Sequence, residues 1–411
     1  MIKAFKRALI LAAIPYVVWG GASIALAQDV KFGLMVGFSG DMAPWAPALN
    51  NAAVLAVEEI NASGGVLGQP LKLISEDNAS TAAGGVRGAQ KLVSVDKVTA
   101  IIGPESDPIM ALTGFAKDNK VPIISSSAGT EALDTAGGTG KFIYRTNASD
   151  TFLGIVHAKL ILDEMKQKEV VVVVENTEGT LSGANTFIRN YEKMGGTIVK
   201  KVVLAPGQSS YLNEIKEVAS AKPKLVFLAV GQTTGVNFTK QAYQRAYEWK
   251  YWVTAELQSD DFVKAAGVEV AKGAINPVSS QVEGAPGWER FSAAYEKRFG
   301  EKPQSGFYQA ETYDAVILAA LAAQAAGDAS GAAIDAKLID VSRGGKKVYS
   351  YAEGVAALKA GEDIDYEGAS GPLDFSPTGN VAVPAARLLQ VNDKGAWVTL
   401  KTVDTSSYPT N

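Results

Sequence analysis

The sequence predicts an α/β fold with two lobes, each built on a parallel sheet flanked by helices. Three observations predict it: strand-like and helix-like segments alternate, one such series follows another, and the 411 residues suffice for two hydrophobic cores. The alternation favours parallel sheets because the helix that joins two parallel strands covers one face of the sheet.

The N-terminal 27 residues have the features of a secretory signal peptide. A basic segment at 3–7 precedes an apolar segment at 8–19, and the small residues at 25–27 suit a signal peptidase. Cleavage near Ala27 predicts export to the periplasm. The formal net charge of −4 gives no support for nucleic acid or an anionic membrane as a partner.

The first series of elements runs from residue 30 to residue 145. Its strands are short runs rich in Val, Ile and Leu, and its helices have apolar residues at a spacing of three and four, with Gly64 and Gly65 as a stop signal. The predicted strands are 30–37, 71–74, 100–103, 121–124 and 142–145, and the predicted helices are 49–60 and 79–93.

The second series begins after residue 145. Five consecutive valines form its first strand, aromatic residues recur at helical spacing in one later segment, and an alanine-rich segment is apolar on nearly every face, as expected of a buried helix. The predicted strands are 170–174 and 225–230, and the predicted helices are 184–194, 288–299 and 315–326.

Catalytic motifs are not found. The chain has no cysteine, and its one histidine, His157, lies in a helical segment that faces an apolar core, which favours a core-edge or surface residue over a catalytic one. The glycine-rich stretch 137–141 lacks the first glycine and the final Ser or Thr of a phosphate-binding loop. We therefore predict a protein that is not an enzyme and has no cofactor.

Two loops at strand ends are candidates for ligand binding. Residues 103–107 follow one predicted strand, and the hydroxyl-rich residues 125–130 follow another. Ligands of open parallel sheets lie beyond the carboxyl ends of the strands, where loops and helix N-termini present free N–H groups. The second loop suits a carboxylate, although serine also favours a simple helix N-cap.

Several short segments have an order and spacing typical of one known family. They are Phe38-Ser39-Gly40 with Trp45, Ala56 to Asn61 with Gly64 to Gly68, Ile101 to Pro104, Pro122 to Ser125, and Gly371 to Phe375 with Gly379. In these segments the chain resembles the periplasmic binding proteins of branched-chain amino acid ABC transporters, the leucine/isoleucine/valine-binding type, also called type I periplasmic binding proteins. The likeness covers essentially the whole mature chain.

The resemblance implies two Rossmann-like lobes joined by a hinge of three crossings, with a ligand held in the cleft between them. We place the crossings near Thr146, near Pro277 and within 365–379. The first lobe would then comprise 28–146 and 280–365, and the second lobe 147–279 and 366–411.

The resemblance also implies ligand-binding residues. The first-lobe groups that would hold an α-carboxylate are Ser106, Ser127, Ala128 and Thr130. An aromatic residue of the first loop corresponds to Trp45, and the acidic residue for the ligand ammonium corresponds to Glu256. From the sequence by itself, Trp45 could equally be a surface-loop tryptophan and Glu256 an exposed loop glutamate.

The second lobe departs from the family pattern at two sites. Thr180 stands where a tyrosine-containing turn is usual, and Gln232 stands near the position of a second aromatic residue. The departures leave room for amino acids other than leucine, and for amides, urea-like compounds or aromatic acids.

The predicted function is capture of an amino acid or related small carboxylate or amide for an ABC transporter permease, by a protein that is monomeric and not embedded in a membrane. The alternative is a periplasmic sensor of the same fold that signals to a receptor. A third hypothesis, a periplasmic hydrolase, requires a pair of carboxylates in the cleft.

Overall fold

The computed structural model describes residues 29–280, 284–304, 306–383, 385–405 and 407–408. The predicted signal peptide, residues 1–27, lies outside the described residues. The described residues form two large sheets with helices on both faces of each and one small two-stranded sheet, so the predicted α/β fold class is confirmed.

The first sheet contains five parallel strands in the order β2-β1-β3-β4-β5. Its strands are β1 (Val30–Val36), β2 (Leu71–Asp77), β3 (Ala100–Ile102), β4 (Ile123–Ser125) and β5 (Ile143–Arg145). The helices between them are α1 (Ala46–Ala62), α2 (Ala82–Lys91), α3 (Ser106–Asn119) and α4 (Leu133–Ala136).

The second sheet begins after the chain leaves β5. Its first strands are β6 (Glu169–Glu175), β7 (Thr197–Leu204), β8 (Val226–Ala229), β9 (Tyr251–Val253) and β10 (Ile275–Ser280). The accompanying helices are α5 (Asp150–Asp163), α6 (Glu178–Lys193), α7 (Leu212–Ser220), α8 (Gln232–Gln244), α9 (Asp260–Ala266) and α10 (Val268–Ala271).

The remaining elements return to the first sheet and then complete the second. The returning elements are α11 (Pro286–Phe299), α12 (Gln309–Ala326), α13 (Gly331–Lys337), β11 (Lys346–Val348), α14 (Tyr351–Lys359) and β12 (Ile364–Tyr366). The last two strands are β13 (Ala385–Val391) and β14 (Trp397–Asp404), which join β10 in antiparallel order, so the second sheet reads β14-β13-β10-β9-β8-β6-β7.

Alternation of side chains along the strands builds a core on each face of both sheets. In β1, Phe32 and Leu34 pack with α1, α11, α12 and α14, whereas Met35 packs on the other face with α2 and α3. The second sheet is covered by α5 and α6 on one face and by α7, α8 and α9 on the other. Residues 309–323 of α12 are all buried, as predicted for the alanine-rich segment.

Among the described residues, no single helix is long and apolar enough to cross a bilayer; α12 meets that criterion only jointly with α13, at a bend of 97°.

The chain passes between the two sheets three times: between β5 and α5, between β10 and α11, and between β12 and β13. The packing of the last segment differs from the predicted division at residue 366. Tyr366, Leu373 and Phe375 are buried in the core of the first sheet, and the chain rejoins the second sheet only at Ala385. The other predicted lobe boundaries stay predictions.

Close contact between α5 and α6 requires glycine at one position. A Cβ at Gly154 would lie 2.7 Å from the carbonyl carbon of Thr186 and 2.9 Å from the backbone nitrogen of Phe187, and backbone atoms cannot yield as a side chain can. We expect Gly154→Ala to lower the free energy of unfolding by about 1.5 kcal/mol, the range of an overpacked core. Urea unfolding measures it.

Gly114 in α3 provides the matched control, because it is exposed and a Cβ there would meet no atom within 4 Å. Gly114→Ala should raise the free energy of unfolding by about 0.5 to 1 kcal/mol, since alanine is the better helix former. Equal effects of the two substitutions would contradict this account of Gly154.

Candidate functional site

The candidate site lies between the two lobes, where loops at the carboxyl ends of strands from both sheets meet. In the first sheet these loops follow β1, β3 and β4, and in the second sheet they follow β6, β8 and β9. The site consists of two adjoining cavities. Both are lined by residues of both sheets' loops, so the site exists only because the lobes are together.

We name the two cavities by one residue of each. The histidine-side cavity is lined by Asn147, Asp150, His157, Thr254 and Glu311, among others. The tryptophan-side cavity is lined by Asp41, Trp45, Glu105 and Glu175, among others. Both cavities share Ser106, Ser127, Gly179, Thr180, Ala255, Glu256 and Tyr308.

Hydrogen bonds across the cleft hold the lobes together beside the cavities. The Thr130 hydroxyl donates to Glu178 Oε1 at 2.7 Å, and the Glu131 amide donates to Ser182 Oγ at 2.8 Å. In addition, the amide of Glu178 donates to Asp107 Oδ1 at 3.2 Å. The side chains of α6 thus contact the loops after β3 and β4.

Ser125, the last residue of β4, organises the first-lobe wall. Its hydroxyl donates to the carbonyl oxygen of Pro104 at 2.6 Å and accepts from the amides of Ser127 at 3.2 Å and Ala128 at 2.8 Å. The Ser127 hydroxyl donates to the carbonyl oxygen of Gly103 at 3.3 Å. These bonds fix the loops after β3 and β4 against each other.

Five of the eight predicted ligand-binding residues line the cavities. They are Trp45, Ser106, Ser127, Thr180 and Glu256. Trp45 is buried, with 1% of its surface exposed, so the surface-loop alternative for this residue is wrong. Contact of these five residues with a ligand stays a prediction.

The other three predicted residues do not line either cavity. Ala128 is fully buried, and its amide is bonded to Ser125. Thr130 is also fully buried, and its hydroxyl is bonded to Glu178. Gln232 accepts a hydrogen bond from the Ser259 hydroxyl at 2.8 Å. Internal hydrogen bonds thus engage groups that were predicted to hold a ligand, and contact of these three residues with a ligand stays a prediction.

The sequence analysis missed most of the carboxyl groups of the site. Seven acidic residues line the two cavities: Asp41, Glu105, Asp107, Asp150, Glu175, Glu256 and Glu311. Only Glu256 was predicted. The others come from five different loops or helix ends, and the one available signal was the position of Asp41, Glu105 and Glu175 at or after strand ends.

Burial raises the pKa of several of these carboxyl groups. It raises the pKa of Glu105 and of Asp150 to about 7, and that of Glu311 to about 8. Burial also raises the pKa of Glu256, and the nearby Asp41 carboxylate adds to that rise. Removal of water disfavours the charged form of an acid, and neighbouring acids increase the effect.

No lysine or arginine is among the described lining residues of the two cavities. Arg145 lies behind the wall, where its guanidinium donates to the carbonyl oxygens of Gly129 and Thr130 and pairs with Asp134. His157 is uncharged at neutral pH, because burial lowers its pKa to about 3 and its Nδ1 accepts a hydrogen bond from Trp252 Nε1 at 2.7 Å.

The raised carboxyl pKa values predict that the ligand-free protein loses stability between pH 6.5 and pH 8. The folded protein binds more protons than the unfolded chain in this range, because Glu105, Asp150 and Glu311 titrate near 7 to 8 when folded but near about 4 when unfolded. The melting temperature should therefore fall as pH rises. His157 acts in the opposite direction only below about pH 6.5, where the unfolded histidine takes up its proton.

Differential scanning fluorimetry at pH 6.5 and pH 8 measures this change in melting temperature. The Glu311→Gln variant is the control, since it removes the group whose pKa is the highest of the three. The melting temperature of this variant should fall less between pH 6.5 and pH 8. A melting temperature that rises over this range would contradict the prediction.

Comparison with known proteins agrees with the fold. A family model described as periplasmic binding protein matches residues 29–396. A Leu/Ile/Val-binding protein homolog from Brucella abortus is 28% identical over 349 residues, which are 79% of this chain and 84% of that protein.

Two solved structures have the same fold. The branched-chain amino acid substrate-binding protein LivJ of Streptococcus pneumoniae, in complex with isoleucine, has a TM-score of 0.75 and 23% identity, and the match covers 92% of this chain and all of that chain. A solute-binding protein of an ABC transporter from R. palustris, in complex with benzoate, has a TM-score of 0.73 and 19% identity. The match covers 92% of this chain and 97% of that chain. The chain belongs to the periplasmic binding protein family, as its resemblance to the leucine/isoleucine/valine-binding type predicted.

Proposed function

We propose that this protein captures a small polar solute, an amino acid or a related carboxylate or amide, in the interlobe cleft and delivers it to an ABC transporter permease. The observation that carries the proposal is the site between the lobes, to which both lobes contribute polar side chains. A solute bound there contacts both lobes at once, so binding favours the closed arrangement of the two lobes over an open one.

The ligands of similar proteins support this class of solute. The Brucella abortus relative is named for leucine, isoleucine and valine, the LivJ structure contains isoleucine, and the R. palustris structure contains benzoate. The shared fold therefore accommodates different small ligands, and the residues of the cleft must select among them.

The proposal includes binding without chemical change, a periplasmic location and a monomeric protein that docks on the permease when closed. His157 is not suited to act as a general base, because burial lowers its pKa to about 3 and its Nδ1 is engaged by Trp252. A general base needs a pKa near the working pH and access to the substrate.

A thermal-shift panel tests capture. The panel comprises L-leucine, L-glutamine, L-arginine, L-citrulline, acetamide, urea, benzamidine, benzamide and benzoate. A ligand at about 100 times its dissociation constant stabilises the folded protein by roughly 2.7 kcal/mol, which is easily seen as a rise in melting temperature. The absence of a shift with every compound would contradict capture of this class of solute.

Uptake separates the transporter function from the alternative, a sensor that signals to a receptor. Cells that lack the gene should lose uptake of the radiolabelled panel compound that binds, and the gene on a plasmid should restore it. Normal uptake in these cells, together with a lost behavioural response to the compound, would favour the sensor.

A further inference from the structure

The cleft holds more carboxyl groups than a ligand with a single ammonium group requires. Acids from opposite lobes approach each other there. A Cβ placed on Gly231 would lie 2.5 Å from Asp41 Oδ2 of the first lobe and 2.8 Å from Glu175 Oε2 of the second. Like charges on facing surfaces repel, and they do so more strongly where water is removed.

The histidine-side cavity repeats this arrangement. Asp150 is the first residue of α5, Glu311 lies in the first turn of α12, and Glu256 follows β9. All three carboxyl groups raise the pKa of the Tyr308 hydroxyl, after the larger effect of burial, so they act on one neighbourhood. The cavity thus brings acids from both lobes around a protonated phenol.

Buried polar atoms without a partner show which kind of group is required. In the histidine-side cavity the described atoms in this condition are Asn147 Oδ1, Asp150 Oδ2, Thr254 Oγ1 and Glu256 Oε2. Asn147 has only 5% of its surface exposed. Three of these four atoms can only accept a hydrogen bond when the acids are ionised, so the partner that is missing in the histidine-side cavity is a donor.

An inorganic cation fits these residues poorly. Among the described residues, no group of three or more His, Cys, Asp or Glu side chains is arranged to hold a metal ion. The acids are spread along two adjoining cavities, which suits an extended organic molecule.

We infer that the ligand of this protein is a small organic cation with N–H groups, an amine, amidinium or guanidinium compound. The inference rests on the proposed function, since it names the chemical class of the captured solute. Such a cation supplies donors to Asn147, Asp150 and Glu256 and offsets the repulsion between the lobes. A carboxylate in the same place would face carboxyl groups of both lobes and would disfavour their ionisation.

Two isosteric sets of compounds test the charge of the ligand. Benzamidine, benzamide and benzoate share one ring and differ in charge, and L-arginine differs from L-citrulline by a guanidinium against a neutral ureido group. Isothermal titration calorimetry at pH 7.5 should give a dissociation constant at least about tenfold lower for a cation than for its neutral isostere, the scale of one charge-assisted hydrogen bond. Benzoate should bind most weakly of its set.

Variants identify the residues that recognise the cation. Asp150→Asn and Glu311→Gln should each weaken binding of the preferred cation about tenfold and change binding of its neutral isostere by less than about threefold. Two sites are used so that a folding defect in one variant does not decide the result. Glu192→Gln, an exposed position of α6, is the matched control and should leave both affinities unchanged.

The outcomes separate this inference from the proposed function. Tighter binding of L-leucine, benzamide or benzoate than of every cation would overturn the cation inference and leave solute capture intact. Failure of all panel compounds to bind would overturn both. Equal loss of affinity for the cation and its isostere in both variants would also contradict recognition of charge.

Discussion

Replacing Asp314 by alanine should lower the free energy of unfolding by about 4 kcal/mol, because it removes one buried carboxylate that accepts four hydrogen bonds. Asp314 lies in α12 and is fully buried. It accepts from the Tyr366 hydroxyl at 2.8 Å, the Ala369 amide at 2.8 Å, and the amide and hydroxyl of Ser370 at 2.7 and 2.6 Å.

Those four donors belong to the last residue of β12 and to the segment that follows it, which leads to the third crossing between the lobes. Without the carboxylate they would be left in a dry environment, and an unpaired buried donor costs about 1 to 3 kcal/mol. Asp314 thus attaches the third crossing to α12. Burial raises its pKa to about 6, so the group is ionised at the pH of the experiment.

Urea unfolding at pH 7.5, followed by circular dichroism, measures the effect. Asp314→Asn keeps the size of the side chain and part of its accepting capacity, so we expect about half the loss. Asp118→Ala is the matched control, since Asp118 is exposed in the last turn of α3, and it should change stability by less than about 0.5 kcal/mol. A loss below about 1 kcal/mol for Asp314→Ala would show that the hydrogen bonds of Asp314 contribute little to the free energy of unfolding.

Replacing Glu256 by glutamine should weaken ligand binding by about 2 kcal/mol, or roughly 30-fold, the scale of one buried hydrogen bond to a charged group. Glu256 lines both cavities, and its Oε2 has no partner among the described residues. Its carboxyl group is therefore available to an ammonium or other N–H cation. Glutamine keeps the shape but removes the negative charge.

Calorimetry with the panel compound that binds most tightly checks this prediction, with Glu192→Gln as the control variant. The variant should bind the neutral panel compounds about as tightly as the unsubstituted protein does, because the interaction that it loses is electrostatic. Unchanged affinity for the compound would exclude Glu256 from the site. It would leave Asp150 and Glu311 as the acids to test.

The local sequence predicted the elements of the fold because their signals are local. The apolar runs that became β3, β4 and β6 and the helical spacing that became α1 and α12 depend only on neighbouring residues and the two periodicities. The order of these elements also predicted parallel sheets. Ser106 and Ser127 were found by the same logic, since they follow strands whose carboxyl ends meet at one edge.

Local signals could not predict which groups remain free for a ligand. Ala128 and Thr130 are in the predicted loop, but Ser125 and the distant Glu178 take their hydrogen bonds. Asp150 and Glu311 are separated by about 160 residues along the chain, and charged residues of this kind are usually solvated. Only the tertiary structure brings them into the wall of one cavity.

The sequence by itself therefore determined the α/β class, the family and the edge of the sheets at which the cleft lies. The reason is that the periodicity of apolar residues and the order of the strands depend on residues that are contiguous in the chain. The tertiary structure decided the charge of the cleft. Desolvation and pairing of acids depend on distances between residues far apart in the chain, and these exist only once the lobes have come together.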